Sequence, residues 1–324
     1  MKSTFTKFAT IALAITLGLG SSAAVAADPA EIRIDWATYN PVSLLLKKEG
    51  LLEKAFEKDG IAIRWVQSAG SNKALEYLNA GSIDFGSTAG AAALIARVNG
   101  NPIKSIYVYS RPEWTALVTG KDSAISTVAD LKGKTVAVTR GTDPHIFLVR
   151  ALADAGLKAD DVNFVLLQHA DGRLALSRGD VDAWAGLDPL MAAAEVEEGA
   201  KLFYRKPENN SWGVLNTPES FATEHPEIVK RVLAVYEDAR KKALADPPAV
   251  KAVLVEAAKL PDAVIERQLG RTDLSSSRIG DAQRETILKA GLALQQAGVL
   301  PAEADIEKSV DELIDPSFSQ ALIQ

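Results

Sequence analysis

The sequence predicts an α/β protein of two lobes, on three observations. Short strand-like runs alternate with helical segments from about residue 31 to residue 200, the alternation starts afresh after Gly120, and residues 226–314 are almost wholly helical in pattern. A β-α-β-α order places helices on both faces of a mostly parallel sheet, and its restart predicts a second sheet.

Residues 31–36 alternate polar and apolar side chains as a strand does. Asn40-Pro41 then opens a helix reaching Lys48, with asparagine as the cap and proline in the first turn. Strand 61–66, helix 71–78, short strand 83–85, helix 88–97 and strand 104–109 follow. The second series has a short helix at 128–131, strand 135–139 and a helix opened by Asp143-Pro144 and reaching Asp154. Strand 162–167, helix 172–178, strand 181–185 and a helix opened by Asp188-Pro189 complete it. The helical remainder is broken at Pro247-Pro248, at Pro261 and at Ser275-Ser276-Ser277. Crossovers are expected at residues 114–118 and 212–215. Residues 28–115 and 214–324 would then form the first lobe, with 116–213 inserted as the second.

The N-terminus carries Lys2 and Lys7, then the uncharged run 8–19, then Ala24-Val25-Ala26. A basic region, an apolar region and a small-x-small site make residues 1–26 a signal peptide, with the mature chain beginning near Ala27 or Asp28. The apolar run is shorter than the roughly 20 residues a membrane span needs. Cysteine is absent, which removes disulfides, thiolate metal sites, cysteine nucleophiles and a thiol-linked lipid anchor. Export without these fits a periplasmic protein. The chain has 36 basic and 42 acidic residues, a net charge of −6. Loss of the two signal-peptide lysines makes the mature chain more acidic still, so no nucleic-acid partner is expected. An anionic ligand would have to be captured by local groups rather than by the overall field.

Five loop-to-helix junctions carry the functional reading: Tyr39-Asn40-Pro41, Gly70-Ser71-Asn72, Ser87-Thr88-Ala89, Gly141-Thr142-Asp143-Pro144 and Leu187-Asp188-Pro189. Each follows an expected strand, and in open α/β sheets ligands bind outside the carboxyl ends of the strands. A helix start presents unpaired N–H groups and a partial positive charge, which suit an anion. Three junctions fall in the first lobe and two in the second, so a ligand could be clamped between them. The candidate ligand-binding residues are Asn40, Ser71, Ser87, Thr88, Gly141, Thr142 and Asp188. Arg111, just past strand 104–109, is a candidate cation for a sulfonate, carboxylate or phosphate. His145, in the first turn of its helix, reads as a neutral hydrogen-bonding group or a surface residue. Trp184 reads as core.

Motifs for catalysis fail on context. Gly133-Lys134-Thr135 resembles the end of a phosphate loop, but Val128 stands where a glycine is needed and the run leads into a strand. Gly86-Ser87-Thr88-Ala89-Gly90 has nucleophile-elbow spacing, yet none of His145, His169 and His225 can be assigned as its base. Metal-ligand spacing and a dinucleotide fingerprint are absent, so no metal and no cofactor are expected. Donors without a reactive group favour binding over catalysis, and the chain is expected not to be an enzyme.

Residues 78–86 (Leu-Asn-Ala-Gly-Ser-Ile-Asp-Phe-Gly) and 128–137, followed by Gly141-Thr142 and His145, are similar to segments of periplasmic binding proteins for aliphatic sulfonates, taurine and nitrate. Val181-Asp182-Ala183-Trp184 with Asp188-Pro189 resembles them too, as does Ser220-Phe221-Ala222 before His225-Pro226-Glu227. The resemblance runs from about residue 31 to 240. It implies a type II periplasmic binding protein, two α/β lobes with a ligand cleft between them. It also implies a monomer that delivers a small anionic ligand to the transmembrane permease of an ATP-driven (ABC) importer. The family's ligand loops map onto Asn40, Ser71, Ser87 with Thr88, Gly141 with Thr142, and Asp188. Departures are Leu187, where sulfonate binders often carry tryptophan, and Tyr39-Asn40-Pro41 in place of a glutamine-containing segment. A sulfonate is the leading ligand, with nitrate, a thiamine-precursor pyrimidine or another small acid open. The rival functions are a pyrimidine-synthesis-type enzyme of the same fold and a partner of a membrane sensor.

Overall fold

The computed structural model describes residues 28–323, so the expected signal peptide lies outside the described residues. Eleven strands are described: β1 (Glu31–Trp36), β2 (Ala62–Gln67), β3 (Gly86–Ala89), β4 (Ile103–Pro112), β5 (Leu117–Thr119), β6 (Thr135–Val138), β7 (Asn163–Leu166), β8 (Ala183–Ala185), β9 (Lys201–Tyr204), β10 (Gly213–Pro218) and β11 (Thr272–Asp273).

The first lobe holds β1 and β2, paired in parallel, beside a sheet in the order β11-β4-β10-β3. The Asp35 N–H donates to the Phe85 carbonyl at 3.0 Å and joins the two groups. The second lobe is one sheet in the order β7-β6-β8-β5-β9. Parallel pairing holds for β6 with β7 and β8, but β5 is antiparallel to both its neighbours and β10 is antiparallel to β3 and β4. The sheets are therefore mixed rather than mostly parallel. Strands flanking each crossing run against the rest because the chain returns to the sheet it left.

β4 ends in the first lobe at Pro112 and β5 begins in the second at Leu117; β9 ends at Tyr204 and β10 resumes the first sheet at Gly213. The two crossing segments, 113–116 and 205–212, are tied together where the Thr115 N–H donates to Asn210 Oδ1 at 3.1 Å. Trp212 closes the second crossing at φ 61°, a left-handed conformation that a bulky residue adopts only under constraint.

Helices Pro226–Ala245, Pro247–Ala258, Asp262–Leu269, Asp281–Gln296 and Ile306–Leu313 build the helical C-terminal third. The breaks expected at Pro247-Pro248, Pro261 and the serine run fall between them, and the proline breaks act as helix starts with proline in or before the first turn. Their apolar faces join one core with the first sheet: Val229, Val232, Leu233 and Tyr236 pack with Ile32, Ile34, Tyr107 and Val214. The second sheet is covered on both faces, by Phe147, Leu148 and Leu152 on one side and by Leu176, Trp184 and Met191 on the other. Trp184 is fully buried core. Ile146, Val149 and Leu187 of the second lobe belong to the same apolar cluster as Tyr39 and Trp114, so the lobes are packed against each other.

Candidate ligand-binding site

Between the lobes lies a small, narrow cavity lined by Tyr39, Ser71, Trp114, Thr142, Asp143, Pro144 and Leu187. Ser71 starts the helix Ser71–Asn79 of the first lobe, and Thr142 caps the helix Asp143–Asp154 of the second. Glycine precedes the first helix and Gly141 stands before the second at φ +76°, where a side chain would be strained. Among the described residues no acceptor meets the N–H groups of Ser71, Asn72, Thr142 or Asp143. These are the orphan donors of two helix starts, brought from opposite lobes to one cavity. The Thr142 hydroxyl is committed, Oγ1 donating to the Thr139 carbonyl at 2.6 Å, whereas Ser71 Oγ accepts the Ala89 N–H at 2.9 Å and keeps its own proton to donate. Each fixes a loop so that its N–H groups stay in place.

Asp143 anchors the second start to both crossings. Its Oδ2 accepts from Trp114 Nε1 at 2.8 Å and from the Ser211 N–H at 3.0 Å, and its Oδ1 accepts from Ser211 Oγ at 2.5 Å. Burial raises its pKa, and these donors oppose the rise.

Asn40, Ser87 and Thr88 stand behind the cavity rather than on its wall. Asn40 Nδ2 donates to Ser87 Oγ at 2.8 Å and to Tyr236 Oη at 2.6 Å, while its Oδ1 caps Ser43. Tyr39, which does line the cavity, donates its hydroxyl to the Ser87 carbonyl at 3.0 Å. Ser87 in turn gives its N–H and hydroxyl to Asp35 Oδ1, at 2.9 and 2.8 Å. Thr88 Oγ1 accepts from Asn216 Nδ2 at 2.8 Å. The expected helix start at Ser87-Thr88 is not one. These residues form β3, because β10 supplies a ladder partner, and the helix Gly90–Val98 begins only after Ala89.

The other candidates lie elsewhere. Arg111 is exposed and stacks its guanidinium 5.1 Å from the Trp212 ring, outside the cavity lining. His145 is buried, so the surface alternative fails; burial lowers its pKa to about 4 and keeps it neutral beside Phe164. Asp188 is held by Arg271, with Nε to Oδ2 at 2.6 Å and Nη2 to Oδ1 at 2.8 Å, and accepts the Ala192 N–H at 2.9 Å. Its helix starts at Leu190, one residue beyond the Asp-Pro pair. Asp143 and Trp114 entered the sequence reading only as part of a junction and of a crossing, not as site residues, and Arg271 escaped it. Arg271 lies in the helical third with no local motif, 83 residues from its partner.

A model of the NMT1/THI5-like family matches residues 55–250. The chain belongs to the NMT1/THI5-like family. Within it, the chain is 34% identical over 253 residues to a protein of Escherichia coli (strain K12) named as an aliphatic sulfonates-binding protein, covering 77% of this chain and 79% of that one. Among solved structures it resembles the alkanesulfonate-binding protein SsuA from Xanthomonas axonopodis pv. citri bound to MOPS, with a TM-score of 0.80 and 29% identity over 88% of this chain and 99% of that one. It likewise resembles the periplasmic aliphatic sulphonate binding protein SsuA from Escherichia coli, with a TM-score of 0.74 and 28% identity over 87% and 97%. The two-lobed periplasmic-binding-protein fold expected from sequence is the fold of these relatives. Among the described residues no helix is long and apolar enough to cross a membrane.

Proposed function

We propose that this chain is the extracytoplasmic solute-binding component of an ABC importer, that it takes a small anion, foremost an aliphatic sulfonate, between its lobes, and that it hands it to the membrane permease. The observation that carries the reading is the cavity between Ser71 and Thr142, where two helix starts from opposite lobes present unpaired N–H groups. A sulfonate has three acceptor oxygens and can take donors from both sides at once. The names and periplasmic setting of the relatives support the ligand class and the compartment. Within this reading Ser71, Gly141 and Thr142 hold the anion by their backbone, while Asn40, Ser87 and Thr88 fix the loops from behind. The lobes are residues 28–115 with 214–324, and 116–213, closing about the crossings. Binding rather than turnover is supported by the cavity's side chains, whose hydroxyls and carboxylate are engaged in holding backbone and crossings in place.

The test is a thermal-shift screen of residues 28–324 against alkanesulfonates, taurine, nitrate, pyrimidines and small carboxylates. A ligand at 100 times its Kd adds about 2.7 kcal/mol of stability. A shift with a sulfonate and none with the matching alcohol is the expected result. A shift with a neutral heterocycle alone would overturn the anion assignment.

A further inference from the structure

The start of the helix Ser71–Asn79 in the first lobe meets the start of the helix His169–Arg178 in the second. A Cβ built on Gly70 would lie 3.0 Å from His169 Nε2 and 3.2 Å from its Cδ2, so the imidazole edge rests against the bare backbone of Gly70. Asn72 reaches the same boundary, because a Cβ on Gly141 of the second lobe would lie 3.7 Å from Asn72 Cβ. His169 is only 3% exposed, and part of what covers its ring belongs to the other lobe.

Thr139 Oγ1 donates to the Leu167 carbonyl at 2.7 Å and lies 3.1 Å from His169 Nδ1. A hydroxyl whose proton is already given away can only accept, so Nδ1 carries the ring's N–H and Nε2 is a bare lone pair. Nε2 and Asn72 Oδ1 are both buried without a hydrogen-bond partner. Turning the Asn72 amide over puts its NH2 where its oxygen stood, and the two groups then satisfy each other, Nδ2 donating to Nε2. The charged groups on the elements around the ring are Arg140, Lys73 and Asp171. Arg140 and Asp171 are exposed, and Lys73 holds Glu76 at 2.7 Å. Burial is what lowers the pKa of this imidazole, to about 3, and keeps it neutral.

We propose that the side chains of Asn72 and His169 are positioning groups that latch the lobes closed through this hydrogen bond, without touching the ligand. The proposal rests on the binding-protein reading of the cavity and adds what holds the closed form. Gly70 is the seat of the latch. Its φ of 162° is extended backbone that any residue adopts, so the missing side chain serves the fit of the lobes rather than the conformation of the loop. Opening takes Gly70 and Asn72 off the ring and lets water reach Nε2, where an imidazole titrates near its ordinary value of about 6.5. A protonated ring has no lone pair with which to accept, so closing must expel the proton. The latch is therefore whole above about pH 6.5 and weakens as pH falls below it.

The test uses residues 28–324 carrying Ala80→Cys and Arg178→Cys, exposed positions at the C-terminal ends of the two helices. The chain has no cysteine of its own, so spin labels attach at these two sites alone. The label separation, read by pulsed electron spin resonance with and without ethanesulfonate, reports closure, and calorimetry reports ethanesulfonate affinity. From about pH 7.5 to about pH 5.5, the affinity and the closed population of this labelled chain should both fall, the affinity by up to about tenfold. His169→Leu should weaken binding about fivefold to tenfold at the higher pH, the worth of one buried hydrogen bond, and should flatten the pH profile. His169→Gln, whose Oε1 accepts but does not titrate, should recover part of that affinity and keep the flat profile, which a merely structural role would not do. Asn72→Ala, which removes the donor, and Gly70→Ala, which wedges the seat, should each reduce the closed population, and they decide the matter if His169→Leu does not fold. The same pH profile with and without His169→Gln, or unaltered closure in both Asn72→Ala and Gly70→Ala, would overturn the proposal. Failure of ethanesulfonate to bind would count against the sulfonate reading instead, and the label separations without ligand would still decide the latch.

Discussion

Arg271 of the helical C-terminal third grips Asp188 of the second lobe through two hydrogen bonds, 2.6 and 2.8 Å long, with 8% and 3% of the two side chains exposed. Its Nη1 lies 2.8 Å from Glu195 Oε2, and its carbonyl accepts the Glu113 N–H at the first crossing. One arginine thus joins the second lobe, the helical third and a crossing segment.

Removing one partner of a buried pair leaves an uncompensated charge. Arg271→Ala, which strands Asp188 and leaves Glu195 to Arg267 alone, is expected to lower stability by about 3 kcal/mol in urea denaturation. The double variant Arg271→Met with Asp188→Asn should recover much of that loss, because both charges go and the amide oxygen can still accept from the Ala192 N–H. Equal losses in the single and double variants would contradict the ion pair's part in joining the lobes.

Asp143 satisfies three donors on two crossings. Asp143→Ala should cost about 2–4 kcal/mol, leaving the Trp114 indole and Ser211 unpaired. It should also weaken ligand binding, since the helix start that lines the cavity loses its anchor. Asp143→Asn, which keeps an acceptor oxygen, should lose less. Denaturation midpoints and calorimetric affinities of both variants check the order.

Asp35 gives a pH signature. It is fully buried, its Oδ2 has no partner, and burial pushes its pKa up to about 6 from an ordinary 3.8. The folded chain then takes up a proton between about pH 6 and pH 4 that the unfolded chain does not. This group's cost is present above pH 6 and is relieved as pH falls through that window, by about 3 kcal/mol. Asp35→Asn, which can keep the Ser87 bonds to its oxygen, should remove that slope and gain most against wild type at pH 8. An unchanged slope in stability against pH would rule out Asp35 as its source.

Much of the architecture was legible in local chemistry. Asn40-Pro41 and Asp143-Pro144 announced helices that begin where expected, and β1 spans the expected residues, because caps, prolines and alternation act within a few residues. Longer-range pairings were not legible. Ser87 and Thr88 look like a helix start until β10, more than 120 residues later, claims them for a ladder. The helix expected at Gly172 begins at His169, three residues earlier, which placed that imidazole outside the candidate set. Of the candidates, Ser71 and Thr142 reach the cavity wall, Asn40, Ser87 and Thr88 brace it, and Asp188 is taken by an arginine that no motif marks.

The most direct measurement is calorimetric titration of ethanesulfonate into the wild-type chain, Thr142→Leu and Arg111→Ala. Thr142 lines the cavity and is 1% exposed, so leucine there should fill the anion's place and lower affinity at least about tenfold. Arg111, stacked on Trp212 away from the cavity lining, should change affinity by less than about twofold when replaced. Unaltered binding in Thr142→Leu, with loss in Arg111→Ala, would contradict an anion held between the two helix starts.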